Sequence, residues 1–214
     1  WHIECSAMAC KYLGFQFDIH CGGKEHISIH HTNEIAQSET VTGKKPWVRY
    51  WLHHEWLELS GEKMAKSGEN FITMTRLEEQ GFHPLDFRYF CLGTHYRKPL
   101  MFSWEALQGA KQARKRLVEH YLGWKEGKKG IGKVVQKYLS AFTKDVNDDL
   151  NSPKALATVW ALVDDPKVHE GDKKATLLKF NEVLGLDLKE ERKEKIPMDI
   201  IKLAEERLKA RLAK

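Results

Sequence analysis

Cys5, His30 and Glu34 carry the three kinds of donor that zinc accepts: a thiolate, an imidazole nitrogen and a carboxylate oxygen. His30 and Glu34 are four apart, so on a helix they lie one turn above each other on one face and can reach a common point. Cys5 has to arrive from a separate element, which makes the site a property of the tertiary fold. A tetrahedral site needs four ligands. Three are visible and the fourth is not evident. The pattern is thin by itself, because His-x-x-x-Glu pairs arise by chance and a single cysteine is more often a small buried apolar residue. A second stretch with chemistry is Lys63-Met64-Ala65-Lys66-Ser67-Gly68. Two lysines on a glycine-flanked loop suit a solvated surface. They equally suit an enzyme that neutralises charge growing on a departing pyrophosphate.

Cys5, Met8, Ala9, Tyr12 and Leu13 recur at helical spacing before Gly14, which predicts a short helix with that face buried. Phe15, Phe17 and Ile19 then alternate with Gln16, Asp18 and His20, predicting a strand that ends at Gly22-Gly23. From His30 to Ser38 the pattern is helical, with Ile35 and Ala36 expected inward. A strand, a glycine loop and a helix in that order build ligand sites at the carboxyl ends of strands in α/β folds. Trp47 to Trp56 reads as a buried strand, and Leu57 onward alternates around Ser60-Gly61 as a hairpin that delivers the lysine loop.

Beyond Thr73 the chain reads as helical. Pro84 opens a helix with Phe87, Tyr89, Phe90 and Leu92 inward. Ser103 caps a long one with Trp104, Leu107, Ala110, Leu117, Tyr121 and Leu122 inward. Later helices carry Tyr138, Leu139 and Phe142; Leu156, Val159, Trp160 and Val163; and Leu177, Leu178, Phe180 and Val183 up to Gly185. A charged linker, 189–195, precedes a last helix from Pro197. The basic run Lys111, Arg114, Lys115, Arg116, Lys125, Lys128, Lys129 and Lys133 is either a solvated face or a phosphate footprint.

The 214 residues carry 35 Lys and Arg against 30 Asp and Glu, a formal charge of +5 that permits a nucleic-acid partner without demanding one. With 42% apolar residues there is material for a core. No apolar run approaches the roughly 20 residues that span a bilayer, and the N-terminal stretch shows no basic-then-apolar signal pattern, so a globular cytosolic protein without a membrane partner is expected. The four cysteines are expected as thiols. The chain opens without Met and closes without a helix cap, so further segments are expected beyond both ends.

Five ordered motifs together resemble the cysteinyl-tRNA synthetases, members of the class I aminoacyl-tRNA synthetases. They are Trp1-His-Ile-Glu-Cys-Ser-Ala-Met, Phe17-Asp-Ile-His-Cys-Gly-Gly, His30-His-Thr-Asn-Glu-Ile-Ala-Gln-Ser-Glu, Tyr50-Trp-Leu-His and Lys63-Met-Ala-Lys-Ser, with Arg88-Tyr-Phe and Asn151-Ser-Pro-Lys-Ala-Leu-Ala further on. The resemblance implies an α/β plus all-α fold. Residues 1–60 would be the C-terminal part of a Rossmann-like catalytic domain with a zinc site. Residues 61–102 would hold the lysine loop and a connecting domain, and 103–214 a truncated helical bundle for tRNA and its anticodon.

By that resemblance Cys5, His30 and Glu34 are zinc ligands, with the fourth a cysteine in an N-terminal half this chain does not contain. Trp1 closes the amino-acid pocket, and His20 and His31 line it or serve as structural hydrogen bonders. Lys63, Met64, Lys66 and Ser67 bind ATP, taken with Mg2+, and Lys63 and Lys66 stabilise its phosphates during catalysis. The implied reaction joins cysteine to ATP as cysteinyl-adenylate and passes it to tRNA(Cys). A free cysteine thiol has a pKa of about 8.5, so zinc can select a thiolate where apolar contacts, worth roughly 1–3 kcal/mol per methylene, cannot. Ala65, Gly68-Glu69 and Cys21 depart from the family's usual residues. A monomer is expected, inactive in adenylate formation alone because the first class I signature lies upstream. Two other readings stand beside this one: a ligase joining cysteine to an amino sugar in mycothiol synthesis, and a non-catalytic zinc-bearing tRNA-binding fragment.

Overall fold

A computed structural model describes residues 1–59, 72–125 and 132–188. The first unit runs α1 (His2–Leu13), β1 (Phe17–Gly23), a 3-10 turn (Lys24–His26), a π turn (Ile27–His31), α2 (Thr32–Thr42) and β2 (Val48–His54). Strands β1 and β2 are parallel, with Phe17 opposite Val48, His20 opposite Trp51 and Gly22 opposite His53. Parallel neighbours need a crossover, and α2 supplies it. The unit is therefore strand, helix, strand, as the sequence order predicts.

Strand β3 (Leu57–Leu59) does not turn back on itself in the described residues. It pairs in parallel with β4 (Leu100–Phe102), which lies beyond α3 (Met74–Glu79) and α4 (Pro84–Leu92). The hairpin expected at Ser60-Gly61 and the lysine loop, with Lys63, Met64, Lys66 and Ser67, lie outside the described residues. So do Lys128, Lys129, the charged linker and the last helix.

Helix starts follow the sequence cues closely. Pro84 occupies the first turn of α4, where His83 and Asp86 form a reciprocal capping box. Ser103 accepts from the Ala106 amide and begins α5 (Trp104–Gly123). Asn151 accepts from the Lys154 amide and begins α7 (Ser152–Asp164), while Gly185 in the left-handed region ends α8 (Glu170–Leu184). With α6 (Gln136–Asn147), these helices enclose a large core around Leu117, Tyr138, Phe142, Val159, Leu162 and Phe180. Phe142 and Phe180 stack at 4.3 Å between ring centroids. A smaller core of Leu77, Phe82, Phe90, Phe102 and Leu107 joins α3, α4, β4 and α5. Helix α4 ties the two together: Tyr89 accepts from Trp160 Nε1 at 2.9 Å, and Arg88 Nε donates to the Leu184 carbonyl.

Several packing expectations are corrected. On α1, Met8, Tyr12 and Leu13 are 53%, 73% and 60% exposed, and Ser6 is the buried residue. On β1, where the alternation leaves the inward side open, Ile19 is exposed and His20 is half-buried against Glu34. On α2 the buried residues are Glu34 and Ser38, and Ala36 is exposed. Of the aromatic stretch from Trp47 to Trp56 only Trp47 and Val48 are sealed. Leu122 and Val183 also face outward. The common reason is that periodicity defines a stripe without saying what covers it. In the first unit a polar network takes the place of an apolar core. Among the described residues before Ser60, the buried hydrophobics are Trp47 and Val48, and the buried polar residues are Ser6, His31, Glu34 and Ser38.

Of the six described residues of the basic run, three are engaged within the protein. Arg114 Nε donates to Asp86 Oδ1 at 2.8 Å, Lys111 Nζ donates to the Gly81 carbonyl, and the Arg116 guanidinium lies over the Trp160 ring. Lys115, Lys125 and Lys133 remain exposed.

Candidate metal centre

Glu34, fully buried on the first turn of α2, is the hub of the first unit. The π turn runs straight into α2, so His30 and His31 precede the carboxylate by four and three residues and both reach it. His30 Nε2 lies 3.5 Å from Oε1, and His31 Nε2 lies 3.9 Å from Oε2. π turns of this kind are rare and recur at functional sites. From β1, His20 Nε2 donates to Oε2 at 2.8 Å. From α1, Cys5 closes the group: its sulfur, a His30 nitrogen and a Glu34 oxygen all lie within 4.8 Å of one another. His20, His31 and Glu34 satisfy the same condition.

The two oxygens of Glu34 are treated differently. Oε2 is held by His20, whereas Oε1 is shut off from water with no hydrogen-bond partner. A buried carboxylate oxygen left without a partner is costly, and a cation resolves the cost. The oxygen in question is the one beside His30. Cys5, His30 and Glu34 therefore suit zinc both by donor type and by this orphaned acceptor.

The Cys5 thiol is pushed up, first by burial and then by the negative charges of Glu34 and Glu4, so it is protonated near neutral pH. A divalent cation among these groups reverses that preference. Burial foremost, with His20 and His53 adding to it, lowers the His31 pKa to about 4, leaving a neutral imidazole. Burial also lowers that of His53.

Around this hub lies a stacked aromatic wall. His31 Nδ1 and His53 Nε2 share a hydrogen bond of 2.7 Å, and Trp51 sits against both His20 and His31 with centroids 4.8 and 4.7 Å away. Gly22 makes room for it, since a Cβ there would lie 2.6 Å from His31 Cε1. His26 and His2 lie against His30. Of the residues expected at the site, Cys5, His20, His30, His31 and Glu34 converge. Trp1 precedes α1, and its side chain is 92% exposed. Trp51 and His53 were not among the expected site residues. Their signal is the register: both sit two apart on β2, opposite His20 and Gly22, on the face turned to α2.

The family described as "tRNA synthetases class I (C) catalytic domain" matches residues 1–112. Cysteine-tRNA ligase 1 of Burkholderia lata is 44% identical over 217 residues, covering 100% of this chain and 45% of that protein. Cysteine-tRNA ligase of Treponema denticola is 41% identical over 248 residues, covering 100% of this chain and 50% of that one. The chain thus spans about half the length of these curated relatives. Among solved structures, an Agrobacterium radiobacter LeuRS-tRNA-LeuAMS ternary complex superposes on 79% of this chain and 26% of its own, with a TM-score of 0.56 at 16% identity, a likeness of fold.

Proposed function

The chain belongs to the class I (C) tRNA synthetase family, and on that premise we propose that it is part of a cysteine-tRNA ligase: it helps to activate cysteine with ATP and to pass the cysteine to tRNA(Cys). The observation that carries this reading is Glu34, with one oxygen fixed by His20 and the other buried beside His30 without a hydrogen-bond partner. Cys5, His30 and Glu34 hold zinc in this reading. Bound there, the ion supplies a soft Lewis-acid centre that favours a substrate thiolate over a hydroxyl or methyl group. His20 keeps the Glu34 carboxylate aimed, as outer-sphere partners of metal ligands do. His31, neutral and held by His53, lines the amino-acid pocket together with His20, and Trp1 closes it.

Lys63 and Lys66, with Met64 and Ser67, take the phosphates of ATP and its Mg2+, and the two ammonium groups offset charge on the departing pyrophosphate. We assign residues 1–60 to the catalytic domain, 61–102 to the lysine loop and connecting domain, and 103–214 to the tRNA-binding bundle. Exposed Lys115, Lys125 and Lys133 are its phosphate contacts. The protein works in the cytoplasm as a monomer; no described helix is long and apolar enough to cross a membrane. The relatives reported above are tRNA ligases, and nothing in the geometry favours an amino-sugar acceptor.

The deciding measurement is zinc content. The purified chain should retain about one zinc, and Cys5→Ala and His30→Ala should lose most of it. Equal metal in all three proteins sinks the assignment. Salt-dependent binding of tRNA(Cys) tests the bundle separately.

A further inference from the structure

Successive residues of a strand point to opposite faces, so on β2 Leu52 and His54 stand on the side away from Trp51, His53 and the histidine wall. On that far side lies a cavity of about 640 Å3, a size typical of small-molecule sites. It is bounded by the end of β2, the start of β3, α4, the turn between α6 and α7, and the end of α8, so the first unit and the bundle share its wall. Ligand sites concentrate at such junctions. Cys5, His20, His30, His31 and Glu34 take no part in it.

Leu52, Leu92 and Val146 give the cavity an aliphatic wall, and Trp56, Leu150 and Val183, from three separate segments, converge on it while 48%, 50% and 53% exposed. Large apolar side chains gathered at one place on a surface mark an interaction site. Leu150 is held there at a cost. Its φ is +54°, as is that of Asp149, and a bulky side chain rarely takes the left-handed region. Asp149 accepts from Arg97 Nε at 2.6 Å and from the Tyr96 hydroxyl at 2.5 Å, which pins the turn in that shape. Backbone strain that the surroundings hold in place is characteristic of ligand clamps.

The charges name the head group. Glu55, the acid of the lining, is already paired with Lys24 Nζ at 2.6 Å. Lys98, exposed and also part of the lining, makes no ion pair with a described carboxylate. An aliphatic wall edged by one uncommitted ammonium suits an apolar chain that ends in an anion. We infer that this cavity binds a medium-length fatty carboxylate, with its chain against Leu52, Trp56, Val146, Leu150 and Val183 and its head group at Lys98.

Decanoate titrated calorimetrically into the 214-residue chain should bind one-to-one. Decylamine, equal in chain length and opposite in charge, should bind at least about tenfold more weakly. Leu150→Asp puts a carboxylate into the apolar wall, at a backbone conformation that aspartate tolerates better than leucine, and should weaken decanoate at least about tenfold. Lys98→Glu should do the same, whereas Leu122→Asp, exposed on α5, should leave binding unchanged. Circular dichroism verifies that each variant is folded. No saturable binding, several ligands per chain, equal affinity for the amine, or indifference to either cavity variant overturns the inference. Self-association of the chain abolished by Leu150→Asp overturns it too, by making a second copy the occupant.

Discussion

The ring of His31 occupies the space that any side chain at position 22 would need: a Cβ on Gly22 would lie 2.6 Å from His31 Cε1 and 2.9 Å from Nε2. Gly22 is thus a steric requirement of the histidine wall. Gly22→Ala should push His31 away from His53, at a cost of about 1–3 kcal/mol typical of overpacking. Imidazole nitrogen spectra and urea unfolding report the two effects. An alanine variant with unchanged His31 signals and stability would show that the ring yields freely.

His20 holds Glu34 by a 2.8 Å hydrogen bond without belonging to the Cys5, His30 and Glu34 group. His20→Ala should therefore weaken zinc binding by about 10- to 100-fold, leaving stoichiometry intact at saturating metal. Competition with a chelator of known affinity measures this. Loss of the full metal complement at saturation would instead make His20 a ligand.

Asp86 serves two partners: Oδ2 accepts from the His83 amide, and Oδ1 accepts from Arg114 Nε. The pair is nearly buried, with side chains 3% and 13% exposed. Asp86→Ala leaves a cation without its partner and opens a helix cap, a loss of about 3–5 kcal/mol in chemical denaturation. A smaller loss from Arg114→Ala than from Asp86→Ala is expected, because only the carboxylate also caps α4.

Tyr138 donates its hydroxyl to Asp165 Oδ2 at 2.7 Å. That bond first, and the Lys167 amide second, hold the Asp165 carboxyl below the usual carboxylate range. Its folded-state pKa is depressed, so the stabilisation is present above the ordinary value of about 4 and is lost as pH falls through the lowered one. Tyr138→Phe should raise the Asp165 pKa towards the ordinary value, read by carbon-detected NMR titration. An unmoved titration midpoint would mean that the backbone bond alone sets it.

The bundle was legible because local and global signals agreed there. Pro84, Ser103 and Gly185 mark ends that the structure keeps, and Phe142, Val159 and Phe180 lie inward as their spacing requires. Near the site the signals part. The His30 and Glu34 pair is readable because four-residue spacing is itself geometric, but the alternation of Phe17, Asp18, Ile19 and His20 does not tell which side of β1 is inside. Alternation sets the period of a strand and leaves open which side is inside. In β1 the choice falls to His20, whose bond to Glu34 turns the polar face inward. Trp51 and His53 escaped because an aromatic-rich strand resembles core until the register sets it opposite His20 and Gly22.

The scarcity of sealed apolar groups around Glu34 also governs what a melting experiment can see. Heat-capacity increments and denaturant sensitivity scale with the surface exposed on unfolding, and apolar surface dominates the former. In the first unit Trp47 and Val48 are the buried hydrophobics among the described residues, whereas the bundle core takes in Tyr89 and buried residues from Leu117 to Leu188. A calorimetric trace of this chain is accordingly a trace of its bundle. The histidine wall can come apart with little heat signature, and its integrity is read at the imidazoles themselves.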